Sequence, residues 1–334
     1  MENVYRQLQK RIDLIGPGFP ETEQGYELEY LAEMYSSEEA AFAAKMPSGL
    51  LSAKEIAEQM DLPEIEALRI LNLLCEHNLV IRVVSEDVEK FYMLPSMHGF
   101  IDFNINAFTP FVADRFAKHF KESFGAIVFD QEAPIFRILP INRAVIEGED
   151  ILPCDDAEQI IRKQDKIVRL DCICRKVGSM KRPCKHNPDN REKCLAFGTF
   201  ADFYLEHGVG TEISADEAVA HIQKCDTEGN TIEVLNTGDV EVMCSCCGCC
   251  CTVLAAAGIF GGRSMKMATN YELIRDESKC IRCGKCADRC NVRAVKKTDD
   301  GIVFQTEKCL ACGLCVSVIP SQIQVCKYSK AGQH

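Results

Sequence analysis

Cys280-Ile-Arg-Cys283-Gly-Lys-Cys286-Ala-Asp-Arg-Cys290 and, further on, Cys309-Leu-Ala-Cys312-Gly-Leu-Cys315 decide the reading of this chain. Three thiolates spaced two residues apart on one small loop can reach three irons of a single cubane, and a fourth cysteine three residues on is aimed at the neighbouring cluster. Cys290 is expected to open a helix that points that way. Gly284 and Gly313 follow the second cysteine of each loop, where a missing Cβ lets the backbone pass close to a sulfide. Zinc ribbons use paired C-x2-C knuckles instead, so this spacing predicts iron–sulfur clusters.

Crosswise ligation gives one complete set, Cys309, Cys312 and Cys315 with Cys290. The other set has Cys280, Cys283 and Cys286. Its fourth ligand is expected four residues after Cys315, before a proline; there the chain reads Ile319-Pro320. Asn291 likewise stands where a proline usually follows the remote cysteine. Three outcomes stay open for the Cys280 set. It holds a three-iron cluster (3Fe-4S), or a cubane whose open iron takes water, substrate or a partner's ligand, or Cys326 swings in to close it. Cys326 also reads as a packed thiol on a closing strand.

The chain carries 21 cysteines in 334 residues. The opening MENVYRQLQKRID has no signal-peptide core, and the longest apolar run, Cys251 to Gly262, is too short to span a bilayer. A cytoplasmic location with reduced thiols is therefore expected, and clustered cysteines there imply metal or redox chemistry rather than disulfides. Net charge is −12, and residues 1–100 hold 18 acidic against 8 basic side chains. Such a segment repels nucleic acid and suits docking to a protein.

A second cysteine-rich region lies upstream. Cys172-Ile-Cys174-Arg175, Cys184, Cys194 and Cys244-Ser-Cys-Cys-Gly-Cys-Cys-Cys251 place ten cysteines within 80 residues. Adjacent side chains diverge, so all of them cannot face one metal. The expected ligands are Cys172, Cys174, Cys184, Cys194, Cys244 and Cys247. One further iron–sulfur cluster is the favoured occupant, with structural zinc and a reactive thiol site as alternatives. The loop between Cys174 and Cys194 is basic, so it would favour a reduced cluster or bind an anion, or else form a solvated face. His186 within it reads as a surface residue rather than a ligand. Cys75, Cys154 and Cys225 read as structural.

Elsewhere the pattern is mixed helix and strand. Ser52 caps a short helix holding Ile56 and Met60, and Asp61 is expected to cap a second one with a stripe of Ile65, Leu68, Leu71 and Cys75. Val80–Val84 and Phe91–Leu94 read as a hairpin, giving a winged-helix order. A helix is predicted over Val112–Phe124 and strands over Ile135–Leu139 and Ile167–Leu170. Asp155-x-x-Glu158 and Ser214-x-x-Glu217 look like capping pairs, and 263–277 reads as a linker.

The C-terminal segment resembles the bacterial two-cluster 4Fe-4S ferredoxins. The wider chain resembles a family of ferredoxin-containing proteins of anaerobes, through Cys172-Ile-Cys174-Arg175, Cys194-Leu-Ala-Phe-Gly198, Cys244–Cys251 and the segment from Cys280. This resemblance implies electron transfer in anaerobic metabolism. The fold class expected is multidomain α+β: an acidic winged-helix-like region (1–100), a cysteine-rich α+β domain (101–265) and a ferredoxin-like dicluster domain (272–334). The leading function is an iron–sulfur electron carrier, or a subunit of a complex, serving a partner redox enzyme. An enzyme using an open iron is the alternative. A redox-sensing regulator is disfavoured, because the candidate recognition helix carries Asp61, Glu64, Glu66 and Glu76 against Arg69 alone.

Overall fold

The computed structural model describes residues 3–85, 87–126, 134–140, 152, 155–180, 182–260, 267, 269–319 and 323–327. It divides into two compact units, Met1–Asp130 and Gln131–His334. Helix and strand are mixed throughout, as an α+β class requires.

In the first unit, helices Val4–Asp13, Tyr26–Met34 and Ser37–Lys45 precede a helix–helix–hairpin segment. Ser52 and Glu55 form a reciprocal capping box that starts the helix Ala53–Met60. Asp61 does not cap the following helix. It ends the preceding one in the left-handed conformation (φ 54°), and Pro63 opens Glu64–Glu76. The apolar stripe is also rotated: Ala67, Ile70, Leu71, Leu74 and Cys75 are buried, whereas Ile65 is exposed. Strands β2 (Val80–Ser85) and β3 (Val88–Met93) pair antiparallel, and the two-residue β1 (Leu51–Ser52) adds to β3. The helix Pro110–His119 continues as a wider turn through Phe124, and its His119 bonds Tyr30 Oη at 2.8 Å in an aromatic core with Phe19 and Phe124.

The second unit is built on an antiparallel sheet of six strands: β4 (Phe136–Leu139), β5 (Ile167–Asp171), β6 (Glu192–Phe197), β7 (Thr211–Glu212), β8 (Thr231–Leu235) and β9 (Val242–Cys246), in the order β4-β8-β9-β6-β5-β7. One face carries Ile167, Leu195, Phe197, Ile232, Val234 and Met243, packed with residues of the helices Ala157–Arg162 and Ala215–Thr227. Ser214 and Glu217 cap the latter in a reciprocal box. The former is capped by Asp156, not Asp155; Asp155 is buried and pairs with Arg137 and Asn270. Because side chains alternate along a strand, the other face receives Cys194, Glu233, Cys244 and Cys246. In register, Cys244 lies between Cys194 on β6 and Glu233 on β8.

The C-terminal segment is two similar halves. Strand β10 (Tyr271–Arg275) pairs with β13 (Ile323–Lys327), and β11 (Val295–Thr298) with β12 (Gly301–Phe304). Tyr271–Arg275 therefore belongs to a sheet and not to a linker. A single helical turn precedes each cysteine loop, at Glu277–Lys279 and Thr306–Lys308.

Candidate metal centres

The two C-terminal loops repeat one backbone conformation. Arg282 and Ala311 have φ of 56° and 50°, and Gly284 and Gly313 have φ of 86° and 80°. Left-handed positions at matched places curl each loop so that successive amides turn toward its cysteines, a shape suited to anionic sulfur. Ala311 N–H donates to Cys309 Sγ (3.4 Å) and Ala294 N–H to Cys290 Sγ (3.2 Å). Cys290 follows the short helix Lys285–Asp288 rather than opening one.

Cys290, Cys309, Cys312 and Cys315 line one cavity together with Leu273, Val295 and Leu314. Burial pushes the Cys312 thiol up to about 12 and Cys315 well above the ordinary thiol range. Neutral thiols are thus favoured in this apolar wall, and a bound cation is what stabilises thiolates there. This donor set fits an iron–sulfur cluster. Cys280, Cys283 and Cys286 form the second group, of which Cys283 is exposed and Cys286 buried. Ile319 packs against the core cluster containing Cys286 and Ile323 and brings no donor. Cys326 lies on β13 opposite Glu272; its side chain is outside the described residues, as is Cys154.

The upstream cysteines do not gather at one centre. The six expected ligands are split by the turn between β9 and the helix Thr252–Phe260. Cys247, Cys249 and Cys250 face Cys184, and the four sulfur atoms all lie within 4.8 Å of one another. Cys184 Sγ is 3.7 Å from those of Cys247 and Cys249, and Cys249 Sγ is 3.5 Å from Cys247 and 3.7 Å from Cys250. On the other side of the turn, Cys246, Cys251 and Glu233 form a buried trio. A chain of thiol contacts extends it through Cys174 to Cys172 and through Cys246 to Cys244. Cys194 is the cross-strand neighbour of Cys244. Cys246, Cys249, Cys250, Cys251 and Glu233 were not among the expected ligands. The cysteines were visible in the run Cys244–Cys251, but Glu233 had no sequence signal.

Arg175 sits beside this assembly. It is 3% exposed, and its guanidinium donates to the carbonyls of His186, Asn187 and Asn190. Its charge acts on Cys247, Cys184, Cys172 and Cys250. Hydrogen bonding from Cys250, assisted by Arg175, holds Cys247 down to about 4. Burial pushes Cys184 up to about 11 and the Glu233 carboxyl up to about 8. The basic loop is therefore not uniform: Arg175 and Lys193 are buried, whereas Arg182, Lys185 and Arg191 are exposed. Lys193 pairs with Glu228 at 2.5 Å and donates to Cys225 Sγ at 3.3 Å. His186 Nδ1 faces the Glu228 carbonyl at 3.2 Å, not a cysteine cluster.

Asn291 joins the C-terminal segment to the cysteine turn. Its side-chain amide donates to Gly229 O and Thr231 Oγ1, both at 3.0 Å, and its Oδ1 accepts from Gly248 N–H at 3.1 Å. A proline after Cys290 has no such amide, which accounts for the departure noted in the sequence. Arg289 adds bonds to the Asp226 and Thr227 carbonyls, both at 3.1 Å.

Residues 272–320 match the family model of the 4Fe-4S dicluster domain. The C-terminal segment is therefore a ferredoxin-type domain, with an iron–sulfur redox or electron-transfer role. No curated protein and no solved structure matches the chain.

Proposed function

We propose that the chain is an iron–sulfur electron-transfer protein, or such a subunit of a complex, that passes single electrons to a partner redox enzyme in anaerobic metabolism. The observation that carries this reading is the cavity lined by Cys290, Cys309, Cys312 and Cys315 inside the segment matching the dicluster family. In this reading those four hold a 4Fe-4S cluster by crosswise ligation, and Cys280, Cys283 and Cys286 hold the second. Bound clusters supply one-electron chemistry; the chain's own residues set where it is exposed. The Cys312–Cys315 side is enclosed, whereas Cys283 and the 75% exposed Ile281 present the second cluster to a partner. A further iron–sulfur centre in the middle domain would draw on Cys172, Cys174, Cys244, Cys246 and Cys251, with Glu233 beside them.

The acidic N-terminal unit serves as a winged-helix-like docking module for protein rather than nucleic acid. Arg69, the one basic residue of the helix Glu64–Glu76, is already paired with Glu38 at 2.5 Å. Among the described residues no helix is long and apolar enough to cross a membrane, and we place the protein in the cytoplasm.

The alternative is an enzyme that uses an open iron in the Cys280 cluster. Ile319 at the fourth-ligand position favours it. Anaerobic purification followed by iron and sulfide quantitation and electron paramagnetic resonance (EPR) of the reduced protein tests both readings. Two interacting reduced clusters that a one-electron acceptor reoxidises without turnover of substrate support the carrier. Protein without acid-labile sulfide refutes both.

A further inference from the structure

The sulfur spacing in the middle domain differs in kind from that of the ferredoxin loops. In a cubane each cysteine binds a different iron, so the four sulfurs point outward from separate corners and stand well apart. Four thiolates on one tetrahedral ion share a single centre. With metal–sulfur bonds of about 2.3 Å, the edges of that tetrahedron are about 3.8 Å. Cys184, Cys247, Cys249 and Cys250 have four such edges, of 3.7, 3.7, 3.5 and 3.7 Å. Among the described residues, the ferredoxin cysteines make no group of three within 4.8 Å.

We propose that Cys184, Cys247, Cys249 and Cys250 hold one tetrahedral metal ion of the zinc class, separate from every iron–sulfur centre of the chain. Three ligands come from a single turn and the fourth from the loop after Ile173–Ser179, so the ion ties two segments that the sheet alone does not join. The backbone is already shaped for this: Cys250 and Cys251 N–H both return to Cys247 O, at 3.2 and 3.0 Å. Zn²⁺ takes four thiolates in a closed site and undergoes no redox change. All four bind as thiolates, and the buried Arg175 guanidinium offsets part of their negative charge. The ion is therefore structural. It fixes the turn on which Gly248 meets Asn291 of the ferredoxin domain.

The experiment uses the full chain, purified without oxygen. Metals are counted by plasma mass spectrometry, sulfide is assayed, and zinc-edge X-ray absorption reads the ligand shell. Wild-type protein should hold one zinc per chain with four sulfur neighbours at about 2.3 Å. Cys249→Ser and Cys184→Ser should each lose that zinc and keep wild-type iron and sulfide. Cys249→His should retain the zinc with a three-sulfur, one-nitrogen shell, which keeps the test readable if the serine variants fail to fold. Loss of iron together with sulfide from the serine variants would make the site polynuclear and overturn the proposal. Wild-type protein with no zinc in a sulfur shell would overturn it equally, whether the site holds a single sulfide-free iron or no metal at all.

Discussion

A methyl group at Gly248 gives the most direct test of how the ferredoxin domain is seated. A Cβ built there falls 1.9 Å from Asn291 O and 2.8 Å from its carbonyl carbon. Real Cβ atoms essentially never approach closer than 3.0 Å, so one of two backbones must retreat by about 1 Å. Neither atom is a flexible side-chain end. Overpacking of this kind costs about 1–3 kcal/mol. The shift also weakens the Asn291 hydrogen bonds, each worth about 1 kcal/mol. Gly248→Ala is therefore expected to cost about 3 kcal/mol, a drop of roughly 6–12 °C in the melting midpoint for a unit of this size. Two other glycines calibrate the result. Gly238 has nothing within 4 Å, and its alanine variant should melt within about 0.5 kcal/mol of wild type. Gly258 lies in a helix with its Cβ position 3.3 Å from Val292 O. Mild crowding there is offset by a helix-propensity gain of up to about 1 kcal/mol. The assay is circular dichroism under anaerobic conditions, at one fixed scan rate because cluster loss makes unfolding irreversible. If Gly248→Ala melts with Gly238→Ala, the docking through Asn291 is wrong.

Three further outcomes are expected. Cys290→Ser should damage the cluster assigned to Cys309, Cys312 and Cys315, although Cys290 lies in the first motif; EPR that shows only the Cys280 cluster perturbed would refute crosswise ligation. Mild oxidation should release iron from the Cys280 cluster and leave a three-iron signal, which Ile319→Cys should suppress. A full, oxidation-resistant set of cubanes in both wild type and Cys326→Ser would contradict this. Burial holds His221 down to about 4, below its ordinary 6.5. Its neutral form therefore contributes stability in full above about pH 6.5, and that contribution is lost as pH falls toward 4. His221→Gln should flatten this acid limb in guanidinium titrations at pH 7 and pH 5, and an unchanged difference between the two would argue against it.

The ferredoxin-type segment was legible from sequence because its determinants are local. Three cysteines with two residues between successive ones, a glycine after the second and a left-handed turn fall within one loop, so spacing alone dictates geometry. The same holds for the helix caps read at Ser52 and Ser214, each closed within four residues. Ile319 was equally readable, since a missing donor is visible in a list of residues. Cap assignments failed at Asp61, which closes the preceding helix in the left-handed conformation while Pro63 opens the next, and at Asp155, which is taken by Arg137 and Asn270 and leaves the cap to Asp156. The sorting of the middle thiols was decided only in three dimensions. The pleat of β9 sends Cys244 and Cys246 to the Glu233 side, while the turn after it swings Cys247, Cys249 and Cys250 toward a loop more than 60 residues upstream. Asn291 likewise looked like a lost proline until the start of β8 at Thr231 and the turn at Gly248 came beside it. Local spacing fixes which thiols can share a loop. Which loops share a metal depends on chain segments brought together by a core whose apolar residues carry no information about the ion.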